Sequence, residues 1–481
     1  MSDLFDTIVS LCKQRGFIFQ SSEIYGGLGA TYDYGPLGVE LKRNVKERWW
    51  AHMVHGHDDI VGLDAAILMH PKTWDASGHT EAFNDPLIDD KASGNRYRAD
   101  ELIEDYIRGL RTAGEAAQAD AVHERLVAAL NAGDDMPEAL HAIIMDEEIH
   151  APDSGAFDWT EVRQFNLMFD THMGPLKDEG SRLFLRPETA QGIFVNFHNV
   201  REPARQHVPF GIAQIGKAFR NEIVARQFVF RMREFEQMEM QYFVKPGTQG
   251  EAFEAWKDKR MAWHQALGIS PAKLRFHEHE QLSHYADAAV DIQYEFPMGW
   301  KELEGVHSRT DYDLKRHQEY SGKKMTYYDP FEQERYIPYV VETSVGLDRT
   351  ILMLLTDAYY EEEVRGDTRS VLQLHPELAP IRAAVFPLSK KKELPDIAHR
   401  ITDDLQAHFN VMYDERGSMG KRYRRMDEAG TPFCVTVDFD TLDDQQVTVR
   451  DRDSMTQDRI AIDRVAAYIK EKSSGWTPSH A

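Results

Sequence analysis

The sequence predicts an α+β protein in which an antiparallel sheet carries a helical insertion and is followed by a smaller α/β domain. Three observations lead there. Residues 210–244 hold two alternating runs around an arginine-rich loop, the pattern of a long hairpin with one polar and one apolar face. Residues 76–160 are rich in Ala, Glu and Asp at helical spacing. Over about 100 residues at the C-terminal end, strands alternate with helices, which points to a mixed sheet.

The chain has 481 residues, of which 42% are hydrophobic, enough for several globular cores. No apolar run is long enough to span a membrane. Acids precede the first apolar residues and no basic region opens the chain, so no signal peptide is expected. The two cysteines, Cys12 and Cys434, argue for a reducing cytoplasm and against a disulfide framework or a Cys-type zinc site. A net charge of -24 opposes nonspecific nucleic-acid binding but leaves room for a local basic surface. Candidates are the Lys421, Arg422, Arg424, Arg425 run and Lys390 to Lys392.

Leu4, Ile8 and Leu11 predict a first helix, and a loop of glycines and tyrosines follows. A second helix starts at Pro36, where Leu37, Leu41, Val45, Trp49 and Met53 form an unbroken i+4 row. Such a ridge packs on the core or on another subunit. Residues Ile60 to Met69 read as a strand stopped by Pro71. His52, His55, His57 and His70 lack the Cys or carboxylate spacing of a metal site. In the insertion, Glu101 to Leu110 and Gln118 to Leu130 read as helices, with Arg96 and Arg98 ahead of the first as salt-bridging arginines.

The core resumes near Phe165. A strand over Leu183 to Leu185 leads into Arg186, Pro187 and Glu188, and Glu188 either caps the next helix or faces a cationic ligand. In the hairpin, Phe235, Gln237, Glu239 and Gln241 share one face, and Met238, Met240 and Tyr242 the other. Arg220, Glu222, Arg226, Arg231 and Arg233 cluster at its loop end. This surface is a salt-bridged exterior or a polyphosphate site, since guanidinium forks bind phosphate oxygens.

Glu251 to Leu267 is an amphipathic helix. Lys301 to Val306 is a strand whose Glu302 and Glu304, on one face, can hold Mg²⁺ or pair with Arg309. In the Ile337 to Val345 run, Val340, Glu342, Ser344 and Gly346 share a face, and Arg349 opens an apolar helix that demands a partner for it. The C-terminal domain reads as strands at 381–388, 411–413, 432–437 and 446–450 among three helices. The basic helix there opens as a plausible phosphate-binding start.

Three separated features converge: the strand ending at Pro71, the Phe219-Arg220-Asn221-Glu222 tetrad and Gly346-Leu347-Asp348-Arg349. They resemble the three signature motifs of class II aminoacyl-tRNA synthetases. The stretches YDYGPLGVELKRNVKERWW, HPKTWDASGH, RPETAQGIF, MREFEQMEMQYF and ETSVGLDR look like the homodimeric, class IIa glycyl-tRNA synthetases, and the resemblance runs from about Tyr25 to the end. It implies a class II catalytic domain on an antiparallel sheet (1–75 and 161–375), a mostly helical insertion (76–160) and an anticodon-binding domain (380–481).

The activity it implies is activation of glycine by ATP with Mg²⁺, then transfer to tRNA(Gly). By that resemblance Arg220 contacts the α-phosphate and the reacting carboxylate, Glu222 reads the adenine amino group, and Phe235 stacks on the base. Arg349 holds the γ-phosphate and Arg231 is a further phosphate contact. Asn221, Phe230, Met232, Arg233, Glu234, Leu303, Gly346, Leu347 and Asp348 complete the ATP side, with Glu302 a ligand for Mg²⁺.

For glycine it implies an acceptor ring of Glu188, Glu239, Glu342 and Ser344. Arg98, Phe235, Glu236, Gln237, Met238, Thr343, Val345 and Gly346 lie around that ring. Three carboxylates about one cation call for raised pKa values or a bridging arginine, for which Arg309 is the candidate. Lys421, Arg422, Arg424 and Arg425 would meet tRNA, and the Leu37 to Met53 ridge would lie at the dimer interface. Two departures stand out. The insertion has DDKASGNRYRAD where some relatives carry CxxC pairs, so no zinc is expected, and His307 stands where a small residue is expected. The rival readings are a synthetase for threonine, proline or histidine, a noncatalytic paralogue, and an unrelated ATP-binding protein.

Overall fold

A computed structural model describes residues 2–175, 181–223, 227–279, 286–391 and 393–478. Arg226 and Lys392 lie outside the described residues. Seven strands form the central sheet: β1 (Ile60–Gly62), β2 (Phe210–Phe219), β3 (Glu234–Val244), β4 (Leu274–Glu278), β5 (Ala288–Phe296), β6 (Gly299–Thr310) and β7 (Tyr339–Gly346). Their order is β4-β5-β6-β7-β3-β2-β1, antiparallel throughout except for β1 on β2. In register, Glu239 stands opposite Gln214 on one side and Ser344 on the other, and Gln241 stands opposite Glu342. Alternation therefore gathers Gln237, Glu239, Gln241, Glu342 and Ser344 on one face.

The other face is apolar. Met238, Met240, Val341 and Val345 join one core with the Pro36–Trp50, Gln249–Ala266 and Leu347–Ala358 helices. Leu41, Val45, Trp49 and Met53 of the ridge are fully buried in this core. The expectation that the ridge meets a second subunit is corrected here. Its natural partner is the apolar Leu347–Ala358 helix of its own chain, which leaves Val39, Arg43 and Glu47 on the open side.

β1 is shorter than the sequence predicts. The backbone pairing ends with Leu63 N on Ala213 O, and at Ala65 side chains take over: Gln214 accepts from Ala65 N at 3.0 Å and buried Arg186 donates to Ala65 O at 2.8 Å. Gly216 leaves the room for that guanidinium, because a Cβ there would stand 2.2 Å from Arg186 Nη2.

The insertion has helices at Ala99–Ala113, Ala116–Leu130 and Met136–Asp146 around its own core. It also has a three-stranded sheet, Arg96–Arg98 beside Asn84–Asp89 beside Arg163–Asn166, that the helical reading omits. Those short strands are rich in Asp, Asn and Arg and show no clean alternation.

The C-terminal sheet runs Val411–Tyr413, Ala383–Pro387, Phe433–Val437, Gln446–Asp451, Gln457–Ala461. Two pairs are parallel and two antiparallel, the mixed sheet expected, with the polar last strand added. A hairpin, Tyr359–Val364 with Asp367–Leu372, joins the domain to the core. There buried Arg369 binds Asp427 at 2.8 Å and donates to Arg452 O at 2.6 Å. Among the described residues no helix is long and apolar enough to cross a membrane.

Candidate active site

One face of the sheet carries two adjoining subsites. At the loop end of the hairpin, Arg220, Arg231 and Arg349 arrive from three separate segments on one cleft. Arg220 follows β2, and its backbone stays in register through a bond from its N to Arg233 O. Its Nε donates to Pro187 O at 3.1 Å, and its guanidinium lies 5.2 Å from the Phe83 ring and 5.4 Å from the Phe235 ring. Arg349 opens the helix after β7 and donates to the carbonyls of Phe230 and Glu302. It also faces the Glu302 carboxylate at 3.3 Å. Arg349 holds that half-exposed carboxyl below its ordinary range, against the effect of burial. Arg231 binds Glu101 of the insertion at 2.9 Å, so the insertion's first helix forms part of the cleft wall.

Further along β3 lies the carboxylate cluster. Gln241 donates one amide to both Glu239 (3.0 Å) and Glu342 (2.6 Å). Thr189 donates its hydroxyl to Glu239. Glu342 also accepts from His307 Nδ1 at 2.9 Å and Arg309 at 3.1 Å. Arg309 holds Asp313 through two nitrogens, and Asp313 accepts from Gln191. Glu188 faces His79 Nε2 at 3.3 Å and accepts from Gln191 at 3.0 Å, which places it in the cluster and not in a helix cap.

The charge states diverge. Burial works to raise Glu188, but the adjacent His79, with Arg309 behind it, holds it down at about 2. Burial likewise opposes ionisation of Glu342, and Arg309 and His307 overcome it, so it stays well below the carboxylate range. Glu239 is pushed far up, first by burial and then by the Glu342 and Glu188 anions. The raised carboxyl and the bridging Arg309 expected from three carboxylates are thus both present.

Not every candidate is brought to the site. Glu236 turns to Lys42 (2.7 Å) and Lys46 (3.2 Å) on the helix side. Asp348 accepts from Tyr34 at 2.5 Å, Lys42 at 3.1 Å and Glu236 N at 2.9 Å, a knot that fastens β3 to the Pro36–Trp50 helix. Both residues line the cleft, but their carboxylates serve that knot. Met238, Leu303, Thr343, Val345 and Leu347 are buried, and all but Thr343 belong to the apolar core; Met232 belongs to that core too, but it also lines the cleft. Glu234 pairs with Lys217 on the exterior, and Arg233 gives its donors to the carbonyls of Glu222 and Gly29.

Arg98 stands at the arginine end with Arg231 and Arg349, paired with Asp85 and Asp100, and not beside the carboxylate cluster. Glu304 is not beside Glu302. β6 carries an extra residue across from Ile292 and Gln293, which turns Glu304 to the helix side, where Arg260 and His264 bury it. In the C-terminal domain Arg422 is buried and donates to the carbonyls of Gly417 and Pro387, so it is a structural residue. Arg425 pairs with Asp414 at 2.6 Å. Lys421, Arg424 and Arg425 do line an open groove, with Arg15 and Arg416.

Sequence reasoning missed His79, Thr189, Gln191 and Asp313. His79 lies in the HPKTWDASGH stretch, where a signal was available, but its position against Glu188 depends on tertiary packing.

Three family models match in chain order. The glycyl-tRNA synthetase insertion domain 1 matches residues 85–119 and 110–167, the class II tRNA synthetase core domain (G, H, P, S and T) matches 169–358, and the anticodon binding domain matches 382–472. The glycine–tRNA ligase of Chlorobaculum tepidum is 58% identical over 466 residues, 97% of this chain and 99% of its own. Those of Caldanaerobacter subterraneus and Treponema denticola are each 52% identical, over 97% and 99% of this chain and 98% of their own. Identity at this level over nearly the whole length, joined to the two-part site on the class II sheet, establishes that the chain belongs to the glycine–tRNA ligase family of aminoacyl-tRNA ligases.

Proposed function

We propose that the two subsites carry out the family's reaction in two steps. The glycine carboxylate attacks the α-phosphorus of ATP, forming glycyl-adenylate and releasing pyrophosphate. A ribose hydroxyl at the 3′ end of tRNA(Gly) then attacks the glycyl carbonyl, and AMP leaves. The observation that carries this reading is the continuity of β3: Phe235 borders the arginine cleft and Glu239, two turns of the pleat away, lies in the carboxylate cluster on the same face.

The first step needs alignment and charge neutralisation more than proton transfer. Arg220 sits between the subsites and serves the α-phosphate and the attacking carboxylate. Its flanking rings, Phe83 and Phe235, fix its plane, and Phe235 is also the platform for adenine. Arg349 takes the γ-phosphate and Arg231 assists. Glu302, half exposed beside Arg349, suits Mg²⁺ carried with ATP, and the ion supplies further neutralisation of phosphate charge. Glu188, Glu239 and Glu342 receive the ammonium of glycine, with Ser344 on the same strand face.

Lys421 and Arg424 meet the tRNA. A homodimer in the cytoplasm fits the family, and the exposed apolar loop of Ile24, Tyr25 and Leu28 supplies a contact surface for the second subunit. Glycine-dependent ATP–pyrophosphate exchange, run with competing threonine, proline and histidine, tests the reading. Exchange is expected with glycine alone, and Glu239→Gln is expected to raise the glycine KM at least tenfold. An unchanged KM removes Glu239 from the pocket.

A further inference from the structure

Beside the carboxylate cluster, on the same sheet face, His279, Asp291 and His307 bring one ligand atom each to within 4.8 Å of one another. Two are already in contact: His279 Nε2 lies 2.9 Å from Asp291 Oδ2. His307 is diagonal to Asp291, since Asp291 pairs with Gly305 and Ala289 pairs with His307. Gly305 opens the way between them. A Cβ there would stand 2.8 Å from His307 Cε1 and 3.1 Å from its Nε2, so the imidazole lies over a gap that only glycine leaves.

The other face of the ring is held in place: His307 Nδ1 lies 2.9 Å from the Glu342 carboxylate. A carboxylate against one imidazole nitrogen is the arrangement that orients metal-bound histidines through the other. Asp291 is buried and His279 partly exposed, giving an anionic ligand inside and a path from solvent.

We propose that His279, Asp291 and His307 form a binding site for a divalent transition-metal ion of the Zn²⁺ kind. Two imidazoles and one carboxylate suit such an ion and disfavour Mg²⁺ or Ca²⁺, which prefer all-oxygen sets. A plain His279–Asp291 ion pair accounts for one contact, but not for the glycine under His307. The expectation of no zinc rests on the missing CxxC pair. This set is assembled from two neighbouring strands and the residue just past a third, a spacing no linear motif encodes. The site stands apart from the glycine assignment and adds a metal one imidazole away from Glu342.

The test uses the full chain, stripped with a chelator, dialysed and titrated with Co²⁺. A single equivalent is expected to give visible d–d absorption that Zn²⁺ displaces. His279→Ala and Asp291→Asn are each expected to weaken Co²⁺ binding about tenfold or more. Both variants lie outside the proposed ATP and glycine residues, so exchange activity with glycine in Mg²⁺ alone, without Co²⁺ or Zn²⁺, stays within about twofold and reports correct folding. Absence of the visible band at one equivalent, or Co²⁺ affinity unchanged in both variants, overturns the proposal.

Discussion

Glu239 lies between two carboxylates that its surroundings keep ionised, and it keeps its proton in consequence. If Glu239 receives glycine as proposed, the arriving ammonium supplies the missing cation, and binding displaces that proton. Calorimetry of glycine binding in two buffers of different ionisation enthalpy, at pH 7, is expected to show proton release, and Glu239→Gln to abolish it; equal heats in both buffers contradict this. Stability follows the opposite signs of the two shifts. Glu239 is raised above its ordinary 4.5, so the native chain holds more protons there and this group weakens stability as pH rises from that value. Glu188 is depressed from 4.5 to about 2, so its contribution is present above 4.5 and is lost as pH falls through that window.

Strand β6 shows how one residue redirects an element. Read with strict alternation, Glu302 and Glu304 share a face. The extra residue in β6 separates them, one to the arginine cleft and one to a buried pair under the sheet. Arg260→Ala strands the Glu304 charge in the core and is expected to cost about 3–5 kcal/mol in denaturant unfolding, while replacing both partners by apolar residues costs much less. A loss below about 1 kcal/mol for Arg260→Ala rules out a buried, ionised pair. Legibility tracks this physics. In β2, β3 and β7 uninterrupted alternation put Glu239, Glu342 and Ser344 on polar faces, and the family resemblance, not the alternation, assigned them to a pocket. In β6 nothing in Lys301 to Val306 signals a bulge, and in the insertion the polar strands lack the pattern that would reveal them.

The order of the units along the chain was readable, because each has its own period and composition; the contacts that join them were not. Arg15 pairs with Glu428, and Arg369 with Asp427, across wide sequence separations. A truncation near residue 380 would therefore strand Arg369 and confound folding with loss of tRNA contact. Charge reversal in the full chain is cleaner. Lys421→Glu with Arg424→Glu is expected to lower aminoacylation kcat/KM about tenfold or more and to flatten the salt dependence of tRNA binding by about two units of slope, leaving pyrophosphate exchange unchanged. An equal fall in both activities argues against the groove. Arg422, adjacent in sequence and equally basic, is expected to behave as a stability residue, since its donors are bound to backbone carbonyls.

Before any substrate enters, the pocket's charges are matched from within: Glu188 by His79, Glu342 by Arg309 and His307, Arg231 by Glu101, Arg349 by Glu302. Binding is then an exchange of partners. Each incoming group must outcompete a resident side chain, so the net free energy is a difference between similar terms. On the proposed assignment, a nucleotide without a γ-phosphate leaves Arg349 with Glu302, and an amine that fails to reach Glu239 leaves its proton in place. Discrimination in such a site comes from competition at each pair as much as from the shape of the cavity.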